Sequence, residues 1–324
     1  MRPDDQVDFS FAIRAPEPER SLPVTAGRVR LPLRVGARTI FTFHPCLVRI
    51  ALPLERRKLL PSLQPLSAGE DGYLITALRA DLRESLEARH SDLRPFLRSS
   101  YQRHYASLQE DFDAYLARFS AKTRSSLKRK TRKLAERSGG KLDFRSYSRP
   151  DEIEEFQRHA RAVSAKTYQE RLLGCGLPDG EEALAGMRAL AANGAMRGWL
   201  LFLDGAPISY LYAPAQGDTL IYAYLGYDPA HADLSPGTVL QLEAMRELMG
   251  ERSFRTFDFT EGEGQHKRQF ATGSVDCVDL LLLRPTLSNL VVGHVVTAFD
   301  AAIAGAKARL AAHGLTRLAR AVRR

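Results

Sequence analysis

The 324-residue chain has little of what a disulfide framework or a structural zinc site needs. It holds three cysteines, Cys46, Cys175 and Cys277, and no Cys-x-x-Cys pair. An odd and scattered set of thiols is typical of reduced, cytosolic proteins. Without a Cys-x-x-Cys pair the sequence does not suggest a zinc site, and we expect no metal cofactor.

Long apolar runs are also missing. The first twenty residues are acidic and interrupted by prolines, so we expect no signal peptide. No uninterrupted run reaches the roughly 18 apolar residues of a membrane span. The nearest segment is 290–304, which His294 and Asp300 interrupt. We therefore expect a cytoplasmic protein.

Acidic residues are scarce in two segments, and these segments carry the positive charge. Residues 118–137 hold nine Lys and Arg against the single acid Glu136, and residues 301–324 hold six with no acid. Since the net charge of the chain is +9, the remainder is net −5. The high overall charge is therefore local, and it does not make the whole protein a nucleic-acid binder.

Composition and periodicity predict an α/β protein in five parts. The parts are a flexible N-terminal arm (1–27), a half of short strands (28–117), a basic connecting helix (118–140), a second half (141–284) and a basic amphipathic helical tail (285–324). From residue 141 the predicted order is β-α-α-β-β-β-α-β-α-β, with a long helix over 150–173 and one strand over 218–227. Ser235 as N-cap and Pro236 in the first turn predict the helix that follows.

The start of that helix lies directly after a long central strand. Placed at a split in the sheet, a helix N-terminus presents free N–H groups and the positive end of the helix dipole. Such an end binds phosphate. We therefore predict the pyrophosphate of a cofactor at this point.

Five short motifs surround this helix: a strand ending in Gly-Tyr-Asp-Pro, a Ser-Pro-Gly helix start, an aspartate on the next strand, a Glu/Gly loop and a basic segment. They lie at 226–229, 235–237, Asp258, 261–264 and 266–268. In this order they resemble the acetyltransferase-like domain of the CelD type in cellulose biosynthesis. That domain belongs to the GCN5-related N-acetyltransferase (GNAT) superfamily, which is related to the Fem-type aminoacyl transferases. The resemblance covers roughly residues 100–284.

The resemblance implies a fold and a reaction. It implies two GNAT-like halves with mixed central sheets, of which 28–117 is the degenerate one, and an acyltransferase that uses acyl-CoA, such as acetyl-CoA. The implied acceptor is an amine or hydroxyl of a cell-envelope precursor: a polysaccharide unit, a nucleotide sugar or a lipid. One alternative is a Fem-type enzyme that takes its acyl group from aminoacyl-tRNA, and another is a non-catalytic membrane-associated assembly protein.

The donor site follows from the helix start, with one departure from the family. GNAT enzymes bind pyrophosphate with an Arg/Gln-x-x-Gly-x-Gly/Ala loop, whereas this sequence has only Ser-Pro-Gly there, and Pro236 removes one N–H donor. The predicted cofactor-binding residues are Ser235, Gly237, Thr238 and Val239, through backbone N–H groups, together with Tyr227.

The chemical residues are expected beside this site, because acyl transfer needs a base and oxyanion donors. The predicted catalytic residues are Glu261, Asp258, His266 and Lys267. A solvated turn for Glu261 and a structural ion pair between Asp258 and Lys267 remain open alternatives.

Acceptor binding is predicted for a second set of residues. The set is Lys166, Tyr168, Arg171, Tyr224 and Glu263. The first three lie near the end of the helix that, in the resembling fold, borders the acceptor groove. Tyr222 and Tyr224 are expected on one face of a strand, where either ordinary packing or proton donation to the leaving thiolate remains open.

The two basic segments have their own expected partners. The 118–137 helix is expected to be a solvated face that borders the donor or acceptor groove, and it would contact tRNA under the Fem-type alternative. The tail, 286–324, predicts peripheral contact with an anionic inner membrane, with packing on the domain as the alternative.

Overall fold

A computed structural model describes residues 24–35, 38–54, 60–167, 176–261 and 264–312. These residues divide into two compact units, here called unit one (104–274) and unit two (24–103 and 275–312). The five predicted parts remain a prediction, since the units divide inside strands, at 103/104 and 274/275.

Strands and helices follow one another along both units. The strands are β1 (Val24–Arg28), β2 (Leu31–Val35), β3 (Arg38–Phe43), β4 (Cys46–Ala51), β5 (Gly72–Arg79), β6 (Arg94–Ser107), β7 (Asp143–Tyr147), β8 (Met196–Leu203), β9 (Ala206–Gln216), β10 (Thr219–Ile221), β11 (Tyr224–Tyr227), β12 (Thr256–Asp258) and β13 (Gly273–Leu283). The helices are α1 (Arg83–Arg89), α2 (Phe112–Ala117), α3 (Ala121–Arg137), α4 (Ile153–Ser164), α5 (Glu181–Ala192), α6 (Pro236–Glu251), α7 (Gln265–Phe270) and α8 (Leu287–Ala312). The predicted α/β class, with mixed sheets and a C-terminal helix, is confirmed.

Unit one is a mixed sheet covered on both faces. Its strand order is β6-β12-β10-β9-β8-β7, with β11 paired to β9, and only β10 and β12 are parallel among these pairs. One face packs on α2, α3 and α6 around Trp199 and Phe257, and the other packs on α4 and α5 around Phe156 and Met187. The consecutive positive φ angles of Asp204 and Gly205 make the predicted tight hairpin turn between β8 and β9.

In unit two the strands follow the order β1-β4-β5-β13-β6, with β4 and β5 parallel. One face packs on α1 through Leu86. The other face packs on α8 and on the separate β2–β3 hairpin, through Leu31, Leu33 and Val296. Cys46 and Cys277 are free thiols, and Cys175 lies outside the described residues.

Two elements begin or end at other residues than the sequence pattern predicted. The N-terminal arm was expected to reach residue 27, but β1 begins at Val24 and pairs with β4. The helix expected to run to 173 ends at Ser164. There the Ser164 hydroxyl accepts the Leu177 N–H at 2.9 Å, and the Thr167 hydroxyl donates to the Ser164 carbonyl at 2.7 Å. These side-chain bonds compete with continued helix.

Candidate active site

The sheet of unit one opens at one point. β10 lies between β9 and β12, and the Tyr222 N–H makes the final bond to the Asp258 carbonyl at 2.9 Å. Beyond it, β11 pairs with β9 and with no other strand in the described parts of the chain. One edge of β11 therefore faces an opening between β11 and the chain leaving β12. This is the split that the sequence predicted next to a helix start.

A β-bulge creates the opening and corrects the prediction for two tyrosines. Leu220 pairs with Ala215 and Tyr224 with Tyr212, so four steps on one strand match three on the other. The extra residue reverses the side-chain alternation. Tyr222 consequently packs on the α6 face, near Phe259, whereas Tyr224 packs on the α4 face. The two do not share a face.

Tyr224 lies beside a buried tyrosine that sequence reasoning did not single out. Its ring stacks on Tyr212, with ring centroids 6.3 Å apart and planes at 24°. The Tyr212 hydroxyl is buried and has no hydrogen-bond partner within the described chain. Burial raises the pKa of Tyr212 above its ordinary value, so the hydroxyl keeps its proton.

Helix α6 starts at this opening, but most of its predicted donors are already used. Ser235, in a left-handed conformation, does not cap the helix with its side chain. Its carbonyl accepts the N–H groups of Thr238 and Val239 at 3.1 and 3.2 Å, and its own N–H donates to Ala232. Of the four predicted donors, the Gly237 N–H is the one without an acceptor among described residues.

Gly237 also fits where a larger residue would be crowded. A Cβ added there would lie 3.1 Å from Cδ2 of Leu225 and 3.5 Å from Cδ1 of Tyr227. The helix start is therefore packed directly on β11. Tyr227, which is an exposed aromatic, stands beside it. These residues place the positive end of a helix dipole against the open strand.

A buried glutamine that the sequence did not flag lies one turn further along α6. Gln241 is 2% exposed, and its Nε2 finds no acceptor in the described structure. Residues four apart share a face of a helix, so Gln241 follows Gly237 along the side that packs on the sheet. An unsatisfied buried amide costs about 1–3 kcal/mol. The sequence signal was a lone glutamine within an apolar helix face.

Lys166 is placed differently from its prediction. It lies beyond the end of α4, and its Nζ is 2.8 Å from Oδ2 of Asp228 in the turn before α6. The hydrogen bond from Lys166 lowers the pKa of Asp228, despite partial burial, and the Ala230 N–H contributes further. Lys166 thus bonds to this turn, and its role in acceptor binding stays a prediction. Tyr168 and Arg171 lie outside the described residues.

The predicted catalytic residues meet at the end of β12. Asp258 is buried, and its Oδ1 accepts the Thr260 N–H at 2.8 Å. Thr260 has a φ of +60°, which is rare for a β-branched residue and marks a constrained turn. Lys267 Nζ donates to the Glu261 carbonyl at 2.5 Å and contacts the Thr260 hydroxyl at 3.4 Å. The Glu261 side chain is exposed, and Glu263 lies outside the described residues.

His266 is the titratable group best suited to accept a proton. Its ring lies 5.9 Å from the Tyr222 ring, centroid to centroid, at the opening of the sheet. Desolvation and the nearby charge of Lys267 hold the pKa of His266 below its ordinary value. A large fraction of the imidazole is therefore neutral near pH 7. Gly264 leaves room for this ring, because a Cβ there would lie 2.9 Å from it.

The basic helix α3 belongs to the same unit. Ser120 caps it through the Thr123 N–H at 3.2 Å, as predicted, and Leu127 and Leu134 are buried. Lys133 is bonded to Asp233 at 2.9 Å, just before α6. The outer face of α3 lines a groove of about 460 Å³. The charged residues of that groove are Arg124, Lys128, Arg129 and Arg132.

Comparisons with known proteins agree with this geometry. Residues 121–268, somewhat under half of the chain, match the family described as the acetyltransferase (GNAT) domain, which confirms the predicted GNAT superfamily for this segment and the acyltransferase class. No curated protein matches the sequence. The class found argues against the non-catalytic alternative. No group of three or more potential metal ligands occurs in the described residues.

Solved structures resemble parts of this chain at low sequence identity. FemX has a TM-score of 0.50 at 11% identity, over 82% of this chain and 90% of that chain. The C-terminal domain of a putative lysylphosphatidylglycerol synthetase from Agrobacterium fabrum has a TM-score of 0.49 at 12% identity, over 73% of each chain. L-PGS from Bacillus licheniformis has a TM-score of 0.46 at 13% identity, over 71% of this chain and 73% of that chain. The FemX likeness confirms the fold class.

Proposed function

Residues 121–268 form a GNAT-type acyltransferase domain, and from that premise we propose that the protein transfers an acyl group from acyl-CoA to an amine or hydroxyl of a cell-envelope precursor. The observation that carries the donor assignment is the opening between β11 and β12 at the start of α6. The Gly237 N–H and the helix dipole suit a pyrophosphate, and the open edge of β11 suits an extended thioester arm. The acceptor class follows the CelD-type motif resemblance.

The proposed reaction is direct attack within a ternary complex. The acceptor nitrogen or oxygen forms a bond to the thioester carbonyl carbon, the carbon–sulfur bond breaks, and CoA leaves as a thiolate that takes a proton from solvent. His266 accepts the proton that the acceptor loses. Backbone N–H groups on the open edge of β11 stabilise the oxyanion. No covalent enzyme intermediate forms.

The other residues have supporting roles in this proposal. Lys267 and Asp258 hold the constrained turn at Thr260 in place. The exposed Glu261 is proposed to contact the acceptor. Tyr227 covers the donor at the helix start. Tyr224, Glu263, Tyr168 and Arg171 are proposed for acceptor binding.

Calorimetry with the full chain tests the donor assignment. We expect CoA and acetyl-CoA to bind and pantetheine, which lacks the pyrophosphate, to bind much more weakly. Equal affinity for pantetheine and CoA would show that the start of α6 does not bind the pyrophosphate. Absence of binding by any CoA ester to the folded chain would overturn acyl-CoA as donor.

One observation favours aminoacyl-tRNA as a second candidate donor. The groove on α3 presents four cations along one face, Arg124, Lys128, Arg129 and Arg132, which is a suitable surface for a phosphate backbone. Under this reading activity is lost on RNase treatment, and tRNA retention falls steeply with salt. A charge-reversed Lys128→Glu, Arg132→Glu variant would then lose tRNA and keep acetyl-CoA binding. Activity that survives RNase overturns this candidate.

We place the enzyme in the cytoplasm, with the segment 286–324 in peripheral contact with an anionic inner membrane. The six cations and absence of acids in 301–324 support this part of the proposal. It brings the active site near lipid-linked acceptors.

A further inference from the structure

One face of helix α8 packs on the rest of unit two. Val296 and Asn289 are buried, and Leu290 and Phe299 pack on the cluster that contains Leu33 of β2. Gly293 lies against the Phe96 ring so closely that an added Cβ would be 2.5 Å from it. These contacts seat the helix along the body of the unit.

The opposite face of α8 is apolar and exposed. Leu287 is 85% exposed, Val291 60% and Val295 39%, at spacings of four that form one stripe. The single acid between 287 and 306, Asp300, is paired with Arg98 at 2.6 Å. The stripe therefore carries no unpaired acidic charge.

The β2–β3 hairpin adds a second apolar area on the same unit. Ile40 is 64% exposed and Phe41 55%, and Val35 is also exposed. The inner residues of this hairpin, Leu31 and Leu33, pack in the same cluster as α8. Of the seven exposed large apolar side chains in the described chain, six lie on α8 or this hairpin. Exposed apolar groups concentrated in this way mark an interaction surface.

The charges encoded in these two segments of the sequence favour one kind of partner. Residues 24–54 contain five arginines and no acid, and residues 301–324 contain six cations and no acid. Two copies of such a surface repel each other, whereas an anionic bilayer satisfies both its apolar and its cationic parts. We propose that unit two docks on an anionic lipid bilayer through the exposed stripe of α8 and the β2–β3 hairpin together.

The packing also decides how α8 meets the bilayer. The segment Leu287–Ala306 is long and apolar enough to cross a membrane, so the expectation of no such segment was too strict. Crossing would withdraw Val296 and Phe299 from the core of unit two. The helix therefore lies in the plane of the interface. This deepens the proposed peripheral contact and is independent of the donor assignment.

Vesicle flotation of the full chain tests the proposal. We expect the wild type to float with vesicles of phosphatidylcholine and phosphatidylglycerol, and weakly with phosphatidylcholine alone. Leu287→Glu with Val291→Glu, and separately Ile40→Glu with Phe41→Glu, should each lower binding by about tenfold or more. Thermal melts and acetyl-CoA titrations on the same samples show that these exposed changes leave the fold and the donor site intact.

The matched control places the same charges on an exposed helix of unit one. Ala185→Glu with Ala189→Glu on α5 should leave vesicle binding unchanged. Failure of the wild type to float, or equal loss in this control, overturns the docking surface. If the hairpin variant binds vesicles like the wild type, the hairpin is not part of the docking surface. If a variant only dissociates a dimer and keeps vesicle binding, the surface contacts a second copy of the chain instead. None of these results changes acetyl-CoA binding, so failure here is separate from failure of the proposed acyl transfer from acyl-CoA.

Discussion

The Lys166 ammonium and the Asp228 carboxylate, 2.8 Å apart, join the chain beyond α4 to the turn that introduces α6. The same carboxylate accepts the Ala230 N–H at 3.0 Å. Because the proposed donor site depends on where α6 begins, we expect this pair to position the start of that helix. Its charge makes that positioning dependent on pH.

Lys166→Met should destabilise the protein at neutral pH. Asp228 has a pKa below its ordinary value when folded, so its stabilising contribution is present above the ordinary carboxyl pKa and is lost as pH falls through the depressed value. Since Lys166 is half exposed, we expect a loss of about 0.5–1 kcal/mol at pH 7. Urea unfolding at neutral and acidic pH measures it. Lys133→Met, which breaks the exposed pair with Asp233, serves as the control and should cost less; an equal loss, or one that persists in acid, contradicts this.

Gly237→Ala should weaken donor binding. The added methyl group would lie 3.1 Å from Cδ2 of Leu225, closer than an ordinary contact, so either that side chain or the helix start must shift by a few tenths of an ångström. We expect the Kd for acetyl-CoA to rise by about tenfold, or about 1.4 kcal/mol. Gly250→Ala, on the same helix but in open space, should instead add up to about 1 kcal/mol of stability with no change in Kd. An unchanged Kd for acetyl-CoA in the Gly237→Ala variant would mean that CoA binds elsewhere.

Gln241→Leu should separate binding from stability. The substitution removes a buried amide without an acceptor, so the free energy of unfolding should hold or rise by about 1 kcal/mol. The affinity for acetyl-CoA should fall if the Gln241 amide faces the bound CoA. Gln157→Leu is the matched control, because Nε2 of Gln157 bonds the Pro178 carbonyl at 3.4 Å. That variant should lose stability and keep its affinity. A destabilised Gln241→Leu protein with normal affinity would make Gln241 an ordinary core residue.

The rate of acyl transfer should rise with pH through the pKa of His266. That pKa lies below the ordinary histidine value because of desolvation and Lys267, so the acidic limb should fall below about 6.5. His266→Gln should remove the limb and lower kcat by about 10²–10⁴-fold. Lys267→Met should move the limb to higher pH. Arg268→Met is the control on the same short helix, and a limb that moves equally in both variants contradicts the specific effect of Lys267.

The sequence predicted those parts of the fold that depend on local pattern. The Ser120 cap, the Asp204–Gly205 turn and the helix after Pro236 follow from residue types that favour one backbone conformation. The motif order also placed Asp258 and His266 at one location. These features need no knowledge of what packs around them.

The remaining features depend on long-range contacts. The amphipathic pattern continued past Ser164, where bonds to Leu177 and Thr167 end the helix. β1 forms because β4 offers it a partner, which composition does not reveal. The use of Thr238 and Val239 amides inside the helix start, and the buried amide of Gln241, became visible only with the packing.

The bulge before Tyr224 has a consequence for how such enzymes diversify. A strand normally resists gain or loss of a single residue, since every later side chain would change sides. Here one such gain is already accommodated, between Leu220 and Tyr224. Relatives shorter by one residue at this point should present the opposite set of side chains on each face, so a length change alone would exchange the aromatic groups beside the opening.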